Sequence, residues 1–220
     1  MTLKELKSLF RLEGDDRIKK YLWSEDYLTT IANWAEVEAC RRARLITDST
    51  SALCRLSVGA GDALLKVDPR VIFVRRTKLQ SQTRPLRKVH AADLEAMAPD
   101  YDAATAGEPI AWCADYETGK ALLYPPSAVA DTLNLRVVRE PLEPMAQPDD
   151  MPEIAPRYHP ALVEGMLYRA YSNHDIEVSN DEKAARHLAK FEAEFGKRSS
   201  AIDEQWIVEQ HGYDDQEGLF

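Results

Sequence analysis

Hydrophobic positions along the chain change period twice, and each change marks a new kind of element. From Trp23-Ser24-Glu25-Asp26 onward, Leu28, Ile31, Ala32, Ala35, Ala39, Ala43 and Ile46 recur at helical spacing. Ser24 offers a side-chain oxygen to the first free N–H groups of that helix. Glu25 and Asp26 suit the positive end of its dipole, and Arg41, Arg42 and Arg44 suit the negative end. Thr47-Asp48-Ser49 breaks the pattern, so the spacing predicts a helix over 25–46. Residues 1–22 are rich in Lys, Leu and Glu but interrupted by Gly14-Asp15-Asp16, which predicts a short, loosely held helical arm.

From Ser51 the period falls to two. Ala52, Cys54, Leu56 and Val58 alternate with polar residues, then come Gly59-Ala60-Gly61-Asp62, then Ala63, Leu65 and Val67, a pattern that predicts a β-hairpin. Further strands are expected over 71–76, over 111–116 and 120–124 around Glu117-Thr118-Gly119, and over 132–139. Short turns rather than crossover helices join them, so the sheet is expected to be mainly antiparallel. Residues 81–108 form a long excursion with a helical turn or two around Ala91 to Met97. Four prolines between 141 and 152 predict an extended connector. The helical period then returns with Tyr158, Leu162, Val163, Met166, Leu167 and Ala170. It continues with Ala184, Leu188, Phe191 and Phe195, capped by Asn180 or Asp181 and stopped by Gly196. The fold class is therefore α+β. A helical bundle (23–50 and 156–196) encloses an antiparallel β domain (51–140) and a connector (141–155), with terminal arms at 1–22 and 197–220.

Charge changes the picture at two places. The 220 residues carry 28 Lys plus Arg against 37 Asp plus Glu, a formal net charge of -9. Residues 140–155 hold five acids and no base, and 196–220 hold six acids and two bases, so these two segments account for the whole net charge. The acidic tail also contains Trp206, Ile207, Val208, Tyr213, Leu219 and Phe220, large apolar side chains with no core of their own. A frayed end and a segment that orders on a partner both fit this composition. In the second case the acids keep the tail soluble and the apolar residues anchor it. A net negative charge disfavours tight non-specific binding to duplex DNA or to an anionic membrane. No apolar run approaches the ~20 residues of a spanning helix. The start lacks a signal-peptide pattern, so synthesis in the cytoplasm is expected.

Catalytic signatures are few. Gly59-Ala60-Gly61 lacks the third glycine and the following helix of a dinucleotide site, and no GxxxxGK[ST] is present. The histidines His90, His159, His174, His187 and His211 form no HExxH. His159 and His187 fall on helices where capping or surface roles suffice, so no metal site is expected. Cys40, Cys54 and Cys113 form no CxxC and read as reduced, buried small hydrophobes. Acid pairs such as Asp100 and Asp102, or Asp149 and Asp150, lie in polar or Pro-rich loops and read as solvated. Arg75, Arg76, Arg136 and Arg139 on strands suggest cross-strand ion pairs or subunit contacts before a nucleic-acid strip. No catalytic residue, cofactor or metal is assigned.

Several strings are familiar in combination: Leu22-Trp23-Ser24-Glu25-Asp26-Tyr27-Leu28, then Ala35-Glu36-Val37-Glu38-Ala39-Cys40-Arg41-Arg42, then Leu122-Leu123-Tyr124-Pro125 leading to Leu133-Asn134-Leu135-Arg136-Val137-Val138-Arg139. Pro152-Glu153-Ile154-Ala155-Pro156-Arg157-Tyr158-His159 ahead of Met166-Leu167-Tyr168-Arg169-Ala170-Tyr171 completes the set. Over about residues 20–196 the chain resembles the head-to-tail adaptors, or connectors, that sit beneath the portal in short-tailed (podovirus-type) phages. That resemblance implies a virion protein of the neck, present as a homo-oligomeric ring of twelve copies. Its helical bundle would lie next to the portal protein and its β domain toward the tail nozzle. Its C-terminal arm, with Trp206, Ile207, Val208, Tyr213, Leu219 and Phe220 as anchors, would climb the portal. DNA would only pass through the channel, which a neutral or acidic wall would let slide. Another ring of the same neck, a stopper or tail terminator, is the alternative, followed by a carboxylate-dependent cell-wall hydrolase.

Overall fold

A computed structural model describes residues 1–18, 20–173, 180–201 and 203. The elements run α1 (Leu3–Glu13), α2 (Glu25–Ala43), β1 (Ile46–Asp48), β2 (Arg55–Val58), β3 (Leu64–Lys66), β4 (Val71–Leu79), β5 (Arg87–Lys88), α3 (Ala91–Met97), β6 (Ala111–Glu117), β7 (Lys120–Tyr124), β8 (Asp131–Arg139), α4 (His159–Tyr171) and α5 (Asp181–Phe195). The class is α+β, as the two periods require. The chain divides into a helical unit, residues 1–46 with 140–198, and a β unit centred on residues 47–139.

In the helical unit, α1 opens with a capping box. The Glu5 N–H donates to Thr2 Oγ1 (3.2 Å) and the Thr2 N–H to Glu5 Oε2 (2.9 Å), satisfying two otherwise orphaned donors. Leu3, Leu6 and Phe10 form a buried stripe, and Phe10 meets Trp23 edge-on at 5.2 Å. The loosely held arm expected from the sequence is thus corrected: α1 is part of the core. Lys4 is exposed, and the buried stripe is only three residues long, each stabilising by roughly 1.5–3 kcal/mol.

Helix α2 begins where the sequence places it, with the Tyr27 N–H donating to Ser24 Oγ (3.2 Å). It ends three residues earlier than predicted, because Arg44 turns left-handed (φ 54°, ψ 46°) and feeds Ile46 into β1. Asn180 caps α5, accepting from the Lys183 N–H (2.9 Å), and Gly196 (φ 83°) ends it. Helices α2, α4 and α5 meet at Gly165. A Cβ there would lie 2.7 Å from Phe191 Cε2 and 3.3 Å from Ala35 Cβ, so only glycine permits this approach.

In the β unit, β8 is the spine of one sheet. It pairs antiparallel with β4 from Val71↔Arg139 to Leu79↔Leu133, with two irregularities in register. It also pairs antiparallel with β2 from Arg55↔Asn134 to Val58↔Asp131, and β1 is its further neighbour. The second sheet has the order β3-β7-β6-β5, antiparallel except between β5 and β6. The hairpin expected around Gly59–Asp62 is not formed: β2 pairs with β8, β3 pairs with β7 (Leu64↔Leu122), and 52–54 is a 3₁₀ turn. Alternation identifies strands but not their partners. The Gly61 N–H is spent on the Ser127 carbonyl (2.7 Å) rather than on a hairpin turn. The turn at Glu117-Thr118-Gly119 does join paired strands, with Glu117 opposite Lys120.

A buried ion pair ties β1 to β8. The Arg139 Nε–H donates to Asp48 Oδ2 at 2.6 Å, and both side chains are under one-tenth exposed. Burial pushes the Asp48 carboxyl up. Hydrogen bonds from the Ser51 hydroxyl, the Thr50 N–H and Arg139 outweigh that and hold it far below the usual carboxylate range. Its contribution to stability is therefore complete above pH ~4 and is lost as pH falls through the depressed folded-state value. Asp48→Ala is expected to lower stability by about 3 kcal/mol, leaving Arg139 buried without its carboxylate. Thermal melts at neutral pH check this, and the gap between the two proteins should narrow in strong acid.

Candidate functional site

The Pro-rich segment 140–155 has no helix or strand, yet its backbone is bonded along much of its length. The Asn33 side chain on α2 clasps Met145 from both sides, donating to its carbonyl (2.9 Å) and accepting from its N–H (2.7 Å). At α1, the Leu3 N–H donates to the Asp150 carbonyl (2.7 Å) and the Lys4 N–H to the Pro148 carbonyl (3.0 Å). The Asp150 carboxylate takes the N–H groups of Ala146 and Gln147. His159 Nε2–H donates to the Ile154 carbonyl (2.9 Å). Met145 and Ile154 are buried. This is a strap rather than a free extended connector, because its prolines remove donors while the N–H groups of Leu142, Met145, Ala146, Gln147, Asp150, Glu153 and Ile154 find acceptors.

Glu36, 1% exposed, holds the far end of the strap, its Oε1 accepting the N–H groups of Glu153 (2.5 Å) and Ile154 (3.4 Å). Burial raises its carboxyl, the two N–H bonds lower it, and the nearby Glu153 charge raises it again, leaving it at about 7.

Where the strap passes α1, a cleft of about 430 Å³ opens between Leu3, Lys7, Arg11, Tyr21, Ala146 and Pro148. Arg11 organises its wall, donating to Asp16 (2.5 Å), to Glu25 (2.6 Å) and to the Trp23 carbonyl (3.1 Å), with its guanidinium 3.6 Å above the Tyr21 ring. The Arg11 hydrogen bond holds the Glu25 carboxyl below its ordinary range. Beside this hub, Leu12, Ile18, Tyr21 and Leu22 expose apolar surface on the turn from α1 to α2. In the β unit the exposed apolar residues are Leu64, Met97, Ile110 and Val129.

The anchors expected in the tail, Trp206, Ile207, Val208, Tyr213, Leu219 and Phe220, lie outside the described residues. His159 and His187 are buried rather than at the surface. His187 Nδ1 faces Glu164 Oε2 (2.6 Å), and Lys190 donates to the other oxygen of that carboxylate (2.7 Å). The three cysteines are buried thiols outside any disulfide. Among the described residues no group of three or more His, Cys, Asp or Glu could hold a metal ion. Among them, too, no helix is long and apolar enough to cross a membrane. Of Arg75, Arg76, Arg136 and Arg139, Arg139 makes a cross-strand ion pair among the described residues. Arg75 lies over the Phe73 ring, and Arg76 stands opposite Arg136. Sequence reasoning missed the strap anchors, although Asn33 and Glu36 interrupting an alanine-rich stripe (Ala32, Ala35, Ala39) were the available signal.

The raised Glu36 value fixes a pH trend. Folded Glu36 keeps its proton to about pH 7 and the unfolded chain loses it near 4.5, so this group's contribution falls as pH rises between those values. The size is on the order of 3 kcal/mol. Glu36→Gln keeps the acceptor oxygen and removes the titration. Chemical denaturation at pH 5 and pH 8 is expected to show the variant gaining on the parent at the higher pH, and parallel curves would refute the assignment.

A model of the family described as SU10 adaptor protein matches residues 1–210. No curated protein matches the chain. The family match implies a structural virion protein of the phage neck that meets portal and tail proteins and assembles with further copies of itself. With this match over nearly its full length, the chain belongs to the SU10 adaptor protein family.

Proposed function

We propose that the chain is the head-to-tail adaptor of a short-tailed, podovirus-type phage. It docks as a ring of twelve copies beneath the portal, joins the portal to the tail nozzle and leaves a channel for DNA. The observation that carries this reading is the division into two units, each with its own core and its own exposed apolar residues: Leu12, Ile18, Tyr21 and Leu22 on one, Leu64, Met97, Ile110 and Val129 on the other. A protein that joins two different neighbours needs two such surfaces, and single exposed apolar residues become useful when a partner covers them.

The C-terminal segment from 197 is the portal-binding arm of this proposal, with Trp206, Ile207, Val208, Tyr213, Leu219 and Phe220 as anchors. Its six acids keep those side chains in solution until docking, and ring closure then multiplies weak contacts through effective concentration. Co-sedimentation with portal rings of the same phage tests the reading. The full chain is expected to bind in a fixed ring-like ratio, and a chain ending at Gly196 to lose most of that binding while keeping its melting temperature. Equal binding by both would remove the arm from the interface, and binding by neither would place the protein elsewhere in the neck.

A further inference from the structure

The register of β8 with its neighbours collects cations on one face of a sheet. Arg76 on β4 is directly opposite Arg136 on β8, and two residues along, Lys78 on β4 and Arg55 on β2 flank Asn134. Directly opposite residues share a face, and so do residues two apart on one strand. Arg55, Arg76, Lys78, Arg136 and Asn134 therefore stand together, while Leu79, Leu133 and Leu135 point to the buried side. Arg55, Arg76 and Arg136 are exposed. Ser57 and Thr132, the next pair on this face, add hydroxyls, and the positions that β2, β4 and β8 contribute here include no carboxylate. The surrounding sequence sharpens the bias, since residues 69–92 hold seven bases and no acid.

Like charges directly opposite each other destabilise a sheet. Opposite-charge pairing would have been available from a single Glu at position 76 or 136. The chain instead keeps Arg76 about 5–7 Å from both Arg136 and Lys78, the spacing of neighbouring strands and of alternate residues, with Arg55 on the far side of Asn134. An anionic partner turns that cost into binding.

We propose that this face is an intersubunit surface that receives the acidic strap, residues 140–155, of the next copy of this chain in the ring. The strap carries five acids and no base, and its Glu143 and Asp149 are exposed and make no hydrogen bond or ion pair among the described residues. A basic face cannot pair with its own copy about a two-fold axis, because two such faces repel. A basic face on the β unit and an acidic strap on the helical unit instead make a head-to-tail contact, the kind that closes into a ring. Duplex DNA fits less well. Affinity for duplex DNA grows with the number of phosphates a protein neutralises, and this face offers four cations on a chain of net charge -9.

The inference rests on the ring of copies in the proposed function, and its test separates the two. The full-length chain, R76Q/R136Q, R76E/R136E, E143K/D149K and the combination of R76E/R136E with E143K/D149K are compared by sedimentation velocity across a concentration series at low ionic strength. They are also compared by copies bound per portal ring. Self-association of R76E/R136E is expected to weaken by about tenfold or more, of R76Q/R136Q by less, and the combined charge swap is expected to recover most of the loss. Melting temperatures at least equal to that of the parent confirm that the neutral variant folds.

Unchanged self-association and unchanged copies per portal in R76E/R136E would overturn the inference while leaving portal docking intact. Loss of self-association in the variant, with no portal binding by the parent, would keep the inference and discard the docking. Absence of any self-association by the parent, free or on the portal, would overturn it. So would salt-sensitive binding of a short DNA duplex at physiological ionic strength that R76E/R136E abolishes without affecting assembly.

Discussion

The return of the chain to its helical unit after residue 139 is the event on which the rest of that unit depends, and two polar side chains of α2 control it. Asn33 receives Met145 and Glu36 receives Glu153 and Ile154, across separations of 112 to 118 residues. Closing so long a loop costs entropy that grows only slowly with length, so the large intervening excursion adds little to the cost of closure. What must be right is the geometry at the closure, because a buried backbone N–H without an acceptor loses the full value of its hydrogen bond with water. Glu36 supplies that acceptor from a buried position, and burial is the main cause that raises its carboxyl. The strap then holds α1 through the N–H groups of Leu3 and Lys4, so the N-terminal helix is fixed by backbone bonds as well as by its apolar stripe.

Charged groups are used in two opposite ways. Asp48 with Arg139, and Glu38 with Arg42 (2.8 Å), are desolvated pairs in which each partner would be costly alone. The arginines of the exposed sheet face, Arg55, Arg76 and Arg136, make no ion pair among the described residues. The same strand carries both arrangements, Arg139 at its end toward β1 and Arg136 on its open face. An isolated domain gains nothing from the second arrangement; a subunit does.

That contrast fits an adaptor. Its task is recognition, where specificity comes from complementary charge and from a few apolar anchors. The titratable groups that deviate from their ordinary values, among them Glu36, Asp48 and Glu164, are each held by structural hydrogen bonds.

The sequence alone determined what local physics controls. Ser24 as a helix cap, a cap at Asn180 or Asp181, Gly196 as a stop, the strands around Glu117-Thr118-Gly119 and the α+β class all follow from period, capping chemistry and turn residues acting within a few positions of one another. Tertiary structure decided everything that depends on partners distant along the chain. Leu3, Leu6 and Phe10 look like the stripe of a marginal arm until a core is present to receive them. Residues 52–67 look like a hairpin because alternation reports a half-buried strand and says nothing about which strand lies beside it. The prolines of 140–155 read as a linker because the acceptors that fix it, on Asn33 and Glu36, are more than a hundred residues away. Whether Arg76 meets a carboxylate or another arginine is set by register, a property of two strands at once that neither strand encodes by itself.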